Sequence, residues 1–151
     1  ISFLAADVSS PAFHHDAGWD AGDVALGREE LAGLATALDR LIERHAADFA
    51  AGFIAESPAK LRRLHAYYAA LAGAGGFPPV SCNAPWVSAV VEADGALRPC
   101  FFQPAIGNIH DAPLDAVLNG AAAVAFGRRL DVRSDPICAR CVCSLNLGAR
   151  R

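Results

Sequence analysis

The sequence predicts an α+β fold, and three features of the chain lead to this class. Between residues 28 and 72, apolar side chains recur every three or four positions, which is the period of amphipathic helices. The pair Asp94-Gly95 lies between two short apolar runs and is typical of a β-hairpin turn. The chain has five cysteines, all in its second half, and this grouping indicates a shared inorganic centre held by thiolates.

Composition limits the class of protein. With 151 residues and 54% hydrophobic side chains, the chain is long enough to bury a core and too apolar to be disordered as a whole. The net charge of −3, without a long basic run, argues against a nucleic-acid partner. No run of about 18 apolar residues is present, so we expect no membrane span. Because no signal peptide is visible and the cysteine count is odd, we expect a reducing, cytoplasmic location and metal ligation rather than disulfides.

The first half of the chain predicts one or two strands and two helices. Ile1–Val8 is a short apolar run that predicts a buried strand, and residues 53–55 are a possible second strand. Residues 28–52 and 58–72 predict helices, the second with Pro58 in its first turn. Because the chain opens directly on a strand and contains no Met, we expect it to be the later part of a longer protein.

His14 and His15 stand beside Asp16 in a segment with the composition of a loop. A histidine pair next to a carboxylate is able to bind a metal ion or a substrate. Such a segment is more often simply polar surface. The sequence therefore leaves the role of the two histidines open.

Glycine and proline residues divide the chain. The stretch GAGGFPP at residues 73–79 predicts a linker, and we expect two regions that meet within it, residues 1–76 and 77–151. In the second region, Gly107-Asn108 predicts a turn. Residues 113–130 predict a helix, with Asp111 as a candidate cap and a weak point or break at Gly120.

The predicted hairpin has a consequence for two of the cysteines. Residues 86–92 form its outgoing strand, and a two-residue turn places Ala89 opposite Cys100 on the return strand. Cys82 precedes the outgoing strand at the same end of the hairpin. We therefore expect the hairpin to bring the thiols of Cys82 and Cys100 to one edge.

Cys138 and Cys141 form a C-x-x-C pair, a spacing that lets two thiolates bind one metal ion or neighbouring irons of one cluster. Together with Cys82 and Cys100, this pair is compatible with three kinds of centre: structural zinc, a redox-active dithiol and an iron–sulfur cluster. Most zinc ribbons take both pairs from tight knuckles, whereas the first pair here spans a whole hairpin. A redox C-x-x-C normally opens a helix after a strand, whereas Pro136 precedes this one. A cluster is larger than a zinc ion and suits such widely separated ligands.

The spacing of these residues is similar to that of a known family. Cys82, Gly95 and Cys100 follow the order C-x12-G-x4-C, and C-x2-C comes later. The strings DG-x-x-x-PC-F and IGNI and the helix before C-x-x-C add to the likeness. Together they resemble the auxiliary-cluster domain of radical S-adenosylmethionine (radical SAM) enzymes, known as SPASM or, in its shorter form, twitch. The first half of the chain looks like the last strand and helix of that family's partial (β/α)6 barrel.

The resemblance implies one auxiliary [4Fe–4S] cluster, and because the cysteines for a second auxiliary cluster are absent, it favours the twitch form. Cys143 does not fall where the longer SPASM pattern has its next cysteine, although a C-x-C in extended chain puts both thiols on one face. Replacement of Cys141 by Cys143 as a ligand therefore stays open.

Aromatic side chains are expected around the sulfurs and would tune the reduction potential of the cluster. The implied ligands are Cys82, Cys100, Cys138 and Cys141, and the aromatic residues are Trp86, Phe101 and Phe102.

The resemblance also implies what this chain lacks. No cysteine precedes Cys82, so the C-x3-C-x2-C motif of the radical-generating cluster is absent and the chain alone cannot cleave S-adenosylmethionine. We expect that cofactor and a second [4Fe–4S] cluster only in a full-length oxidoreductase or maturase with a radical SAM domain upstream. The auxiliary cluster would transfer electrons to or from a substrate radical, with an electron donor or acceptor as partner, or position a peptide or small-metabolite substrate. No residue is assigned a catalytic role.

An alternative from another class is a zinc-stabilised binding module without catalysis, held by the same four cysteines. Zinc is also expected to occupy thiolates left behind when a cluster is lost.

Overall fold

The computed structural model describes residues 1–8, 22 and 24–143, which form helices and one small antiparallel sheet. The predicted α+β class is confirmed. None of the described helices is long and apolar enough to cross a membrane. The elements in chain order are α1 (Arg28–Arg44), α2 (Ala46–Ala50), α3 (Pro58–Leu71), α4 (Ala84–Val87), β1 (Val90–Val91), β2 (Ala96–Arg98), β3 (Gly107–Asn108), α5 (Leu114–Leu118), α6 (Ala121–Arg129) and a 3₁₀ turn at Cys138–Arg140.

The chain divides into two compact units. The helical unit comprises Ile1–Val8 and the described residues up to Pro78, and the sheet unit comprises the described residues from Pro79 onward. All of the cysteines belong to the sheet unit. The assignment of residues 1–76 to a partial barrel stays a prediction.

The helical unit is built on the packing of α1 against α3. Leu31 and Leu38 of α1 and Leu61 of α3 are buried, and Leu61 is fully inaccessible. The second predicted helix is confirmed as α3. The Ser57 hydroxyl accepts a hydrogen bond from the Lys60 N–H at 3.2 Å, and Pro58 follows in the first turn, so the start of α3 is fixed locally.

The helix predicted over residues 28–52 is interrupted at His45. The backbone there has φ −116° and ψ 30°, which ends α1, and α2 begins at the next residue. The His45 carbonyl accepts hydrogen bonds from the N–H groups of Asp48 and Phe49, so it starts the second helix. Because apolar residues keep a helical spacing across the break, periodicity alone does not reveal it.

The predicted strand at Ile1–Val8 is wrong, because these residues form no β-strand and Leu4 is 83% exposed. Residues 53–55 form no strand either. Ile1 does make the bonds of a parallel pair: its amine donates to Phe53 O at 2.7 Å, and its carbonyl accepts from Ala55 N at 2.9 Å. After Ile1 this pairing stops.

Side chains hold the rest of the N-terminal segment in place. The buried carboxylate of Glu56 accepts hydrogen bonds from Ser2 Oγ at 2.6 Å and from Phe3 N at 2.9 Å. The Ala6 N–H donates to the Tyr68 hydroxyl at 3.0 Å. The bonds from Phe3 and Ala6 take up backbone N–H groups that a β-ladder would use. The bond from Ser2, and then that from Phe3, hold the pKa of Glu56 below its ordinary value.

Glu56→Ala is expected to release the N-terminal segment. Since the pKa of Glu56 is lowered by folding, its contribution is present above about pH 4.5 and is lost as the pH falls further. The Phe3 amide should therefore lose hydrogen-exchange protection in Glu56→Ala at neutral pH, and in the unaltered protein on acidification, after correction for intrinsic exchange rates. Asp39→Ala removes an exposed carboxylate of the same unit, paired with Arg62, and should leave Phe3 unchanged. Equal protection of Phe3 in both variants would contradict this role.

The hairpin of the sheet unit forms with a loop one residue longer than predicted. Val91 pairs with Leu97, whereas a two-residue turn would place it opposite Arg98. Gly95 has φ +80°, its N–H donates to Glu92 O at 2.9 Å, and it ends a three-residue loop. Such loops close with a residue in the left-handed region. The predicted pairing of Ala89 with Cys100 is therefore wrong by one register position.

The outgoing strand is also shorter than predicted. Residues 84–87 form the helical turn α4, with Pro85 in its first turn, so Trp86 is helical and only Val90 and Val91 remain as strand. The Ser88 hydroxyl donates to the Ala84 carbonyl at 2.8 Å and closes the turn.

The turn predicted at Gly107-Asn108 is instead β3, in which Gly107 pairs with Leu97 of β2. A Cβ atom at position 107 would lie 2.5 Å from Val117 Cγ1, so close packing rather than a turn requires glycine there.

The predicted helix over residues 113–130 is divided at Gly120 into α5 and α6, as expected. The predicted cap is wrong, since Pro113 holds the N-cap position. The core of the unit contains Leu97, Val117, Phe126 and Val132.

Gly95→Ala is expected to destabilise the sheet unit by about 1–3 kcal/mol, because an L side chain is strained in this conformation. The added Cβ would also lie 2.5 Å from His110 Cδ2 and 2.6 Å from Asn108 Oδ1. Gly33→Ala is the matched control: Gly33 lies within α1, and the added Cβ would meet no atom within 4 Å beyond the neighbouring backbone of α1 itself, so it should stabilise α1 by about 0.5–1 kcal/mol. Urea unfolding followed by circular dichroism measures both, and equal effects would contradict the assigned loop.

Candidate metal centre

Five thiols border one cavity within the sheet unit. Its volume is about 390 Å³, and apart from the thiols, Ser88 and Gln103 its wall is apolar. None of the cysteines is in a disulfide. The lining thiols belong to Cys82, Cys100, Cys138, Cys141 and Cys143, which are all the cysteines of the sequence.

Cys82 and Cys100 reach the cavity from the two sides of the hairpin. Cys82 precedes α4, and its Sγ accepts a hydrogen bond from Ala84 N at 3.4 Å. Cys100 follows β2, and the backbone N–H groups of Phe102 and Gln103 hydrogen bond to it. The two thiols thus share one cavity, although a helical turn rather than a strand leads away from Cys82.

The carboxylate of Asp135 organises the turn that carries the C-x-x-C pair, residues 135–141, which we call the cysteine turn. Asp135 Oδ1 accepts hydrogen bonds from the N–H groups of Ile137 at 3.0 Å and Cys138 at 2.9 Å. The turn closes when Cys141 N donates to the Cys138 carbonyl at 3.0 Å. This is the geometry of an aspartate cap, which fixes the first turn of a short helical segment.

Gln103 links this turn to the hairpin. Its side chain is buried, and Nε2 donates to Asp135 Oδ1 at 2.9 Å and to Cys138 Sγ at 3.2 Å. The Gln103 carbonyl accepts a hydrogen bond from Arg98 Nη1 at 3.0 Å, and Arg98 Nε donates to Glu92 Oε1 at 2.5 Å. A continuous polar chain therefore runs from the hairpin to the cysteine turn.

Burial is the largest influence on the pKa of three of the thiols. It raises the pKa of Cys138 and of Cys141 to about 12, and it also raises the pKa of Cys100. Burial also acts to raise the pKa of Asp135. Hydrogen bonds from Cys138, Gln103 and Ile137 outweigh this effect and hold the pKa of Asp135 below its ordinary value. The thiols of Cys138 and Cys141 therefore keep their protons at neutral pH, and cation binding would release them.

Cys143 borders the same cavity but is exposed. Its N–H donates to Cys141 Sγ at 3.3 Å, so the two residues of the C-x-C lie side by side. Within the part of the chain that the structure describes, no three His, Cys, Asp or Glu side chains form a group that could hold one metal ion. The sulfurs surround the cavity instead.

Of the three aromatic residues expected around the sulfurs, two line the cavity. These are Phe101 and Phe102. Trp86 does not: it lines a separate groove of about 710 Å³ beside α6, and its Nε1 donates to Gly127 O at 3.1 Å. His14 and His15 lie outside the described residues.

Residues 82–142 match the family model of SPASM, described as an iron–sulfur cluster-binding domain. This segment is therefore similar to SPASM domains. Domains of this type are found in radical SAM enzymes. The match covers about two fifths of the chain, begins at Cys82 and ends one residue after Cys141. No curated protein and no solved structure gives a significant match.

Sequence reasoning missed Gln103 and Asp135 as parts of the site. A signal for Asp135 was present, because an aspartate three residues before Cys138 suits the cap of a short turn. No comparable signal marked Gln103. Its contact with Cys138 joins residues 35 apart in sequence and depends on the packing of the hairpin against the turn.

Asp135→Ala is expected to weaken the cysteine turn by about 1 kcal/mol, as for the loss of an N-cap. The amides of Ile137 and Cys138 should exchange faster, because both lose their acceptor. Asp131→Ala is the control: Asp131 accepts bonds from Arg133 N at 3.1 Å and Ser134 Oγ at 2.6 Å, outside this turn. Faster exchange at Cys138 in the control but not in Asp135→Ala would refute the assignment.

Proposed function

We propose that the sheet unit binds one auxiliary [4Fe–4S] cluster within the C-terminal part of a radical SAM enzyme. One observation carries the proposal: all five cysteines border a single apolar cavity, and four of them lie inside the segment that matches SPASM. Thiolates are the ligands that iron–sulfur clusters use in proteins.

The residues around the cavity fit such a group. A zinc ion needs four sulfurs at about 2.3 Å from one point, whereas a cluster places its thiolates on different irons and needs a larger space. The cavity of about 390 Å³ provides that space. N–H groups from Ala84, Gln103 and Cys143 donate to cysteine sulfurs, and such bonds stabilise the thiolates of a bound cluster.

We assign the four ligands to Cys82, Cys100, Cys138 and Cys141. The limits of the SPASM match support this choice, because they enclose these four and leave out Cys143. The N–H of Cys143 donates to Cys141 Sγ, so Cys143 supports a ligand through its backbone. Four thiolates fill one cluster, so a single cluster of the twitch type fits this chain.

The proposed role is electron transfer to or from a substrate radical, or the positioning of the substrate. In either role the cluster serves chemistry that starts elsewhere, on S-adenosylmethionine and a second cluster held by a radical SAM domain. The substrate would be a peptide or small metabolite, and an electron donor or acceptor would be a further partner. The free thiols and the oxygen sensitivity of such a cluster fit a reducing cytoplasm.

Single alanine variants test the ligand assignment. After anaerobic reconstitution, the unaltered protein should hold about four iron and four sulfide ions per chain. Cys82→Ala, Cys100→Ala, Cys138→Ala and Cys141→Ala should each lose most of both. Cys143→Ala should keep most of its cluster and serves as the matched control, since it removes a thiol from the same cavity.

Two outcomes would contradict the proposal in different ways. If Cys143→Ala lost the cluster and Cys141→Ala kept it, the fourth ligand would be Cys143 rather than Cys141. The proposal of a bound cluster would still stand. Stoichiometric zinc without sulfide, in protein made and kept free of oxygen, would support a structural zinc module instead. Zinc in protein exposed to air does not decide the question, because emptied thiolates capture it.

A further inference from the structure

Gln103 is the only glutamine of the sequence, and its side chain is 2% exposed. Burial of an amide without hydrogen-bond partners is costly, so its place on the cavity wall depends on the bonds that it makes. Both bonds of Nε2 are directed to acceptors, Asp135 Oδ1 and Cys138 Sγ. A side-chain amide has two N–H groups, and both are used here.

These acceptors also fix the orientation of the amide. A rotated amide would place the carbonyl oxygen of Gln103 against the Asp135 carboxylate and the Cys138 sulfur, and neither group would then receive an N–H from this side chain. The negative carboxylate therefore holds one N–H and leaves the other aimed at the sulfur. The backbone of the same residue hydrogen bonds to Cys100, so Gln103 reaches the sulfurs of both cysteine pairs.

We propose that Gln103 is a positioning residue that raises the reduction potential of the bound cluster through its N–H···S bond to Cys138. This inference rests on the proposed function, since it requires that a cluster be bound. When the cluster takes up one electron, negative charge on its sulfurs increases, and a hydrogen bond to sulfur becomes stronger. The bond therefore favours the reduced state, in accord with the general effect of hydrogen bonds on such clusters.

Gln103→Met tests the bond, because methionine has a similar length and no donor. With a dye-mediated dithionite titration followed by electron paramagnetic resonance, we expect the equilibrium constant for one-electron reduction to fall by up to about tenfold, or about 59 mV. An unchanged potential in a fully loaded Gln103→Met protein would overturn the proposal.

Arg98→Met is the matched control. The Arg98 guanidinium donates to the Gln103 carbonyl and to Glu92, so it supports the same residue from its backbone rather than through the N–H···S bond. This variant should lower the stability of the unit and leave the potential unchanged. A shift in potential as large as that of Gln103→Met would show that a loosened cavity wall, rather than loss of the N–H···S bond, alters the potential. That result would also overturn the proposal.

A second measurement needs no substitution and applies even if Gln103→Met fails to fold. Because the sequence has one glutamine, glutamine labelled with ¹⁵N at its side-chain amide marks Nε2 of Gln103 alone. Pulsed electron paramagnetic resonance of the reduced cluster should detect coupling to this nitrogen. A loaded cluster without such coupling would contradict the role of Gln103 only, whereas a protein that binds no iron and sulfide would contradict the proposed function itself.

Discussion

The sheet unit depends on the burial of sulfur atoms in an apolar cavity. Burial raises the pKa of Cys138 and Cys141 to about 12, which means that negative thiolates are strongly disfavoured there without a cation. The proposed cluster would supply the positive charge of its irons and remove this cost. If the unit binds the proposed cluster, we expect its binding and folding to be linked, as they are in other small domains whose ligands come from distant segments.

The polar contacts around the cavity explain how two distant segments meet there. Gln103 joins the hairpin to the cysteine turn through Asp135 and Cys138, and Arg98 fixes the backbone of Gln103 from the hairpin side. Asp135 then holds the backbone of the turn. Each residue of this network has more than one partner, so the thiols are supported by side chains that are themselves held in place. Preorganised support of this kind is typical of metal centres.

Much of the fold was predictable where local sequence decides conformation. Ser57 and Pro58 fix the start of α3, and Gly120 ends one helix before another begins. Errors arose where tertiary contacts decide. The strand expected at Ile1–Val8 is replaced by bonds to the Glu56 carboxylate, and Gly107 serves close packing rather than a turn.

The candidate site shows the same division. Spacing alone singled out the cysteines, because thiolate clusters leave a pattern in sequence. The hairpin register was wrong by one residue, since the loop that ends at Gly95 has three residues rather than two. Trp86 was expected beside the sulfurs but lies on another groove, because α4 is helical. Gln103 could not be found from spacing, since its role arises only when the hairpin packs against the turn.

Native mass spectrometry of the protein, expressed and purified without oxygen, tests the central claim most directly. The account predicts one species with the added mass of a single [4Fe–4S] cluster and the loss of protons from the four thiols that bind it. A protein that carries one zinc ion and no sulfide under the same conditions would contradict it, and would show that the cavity holds a structural metal instead.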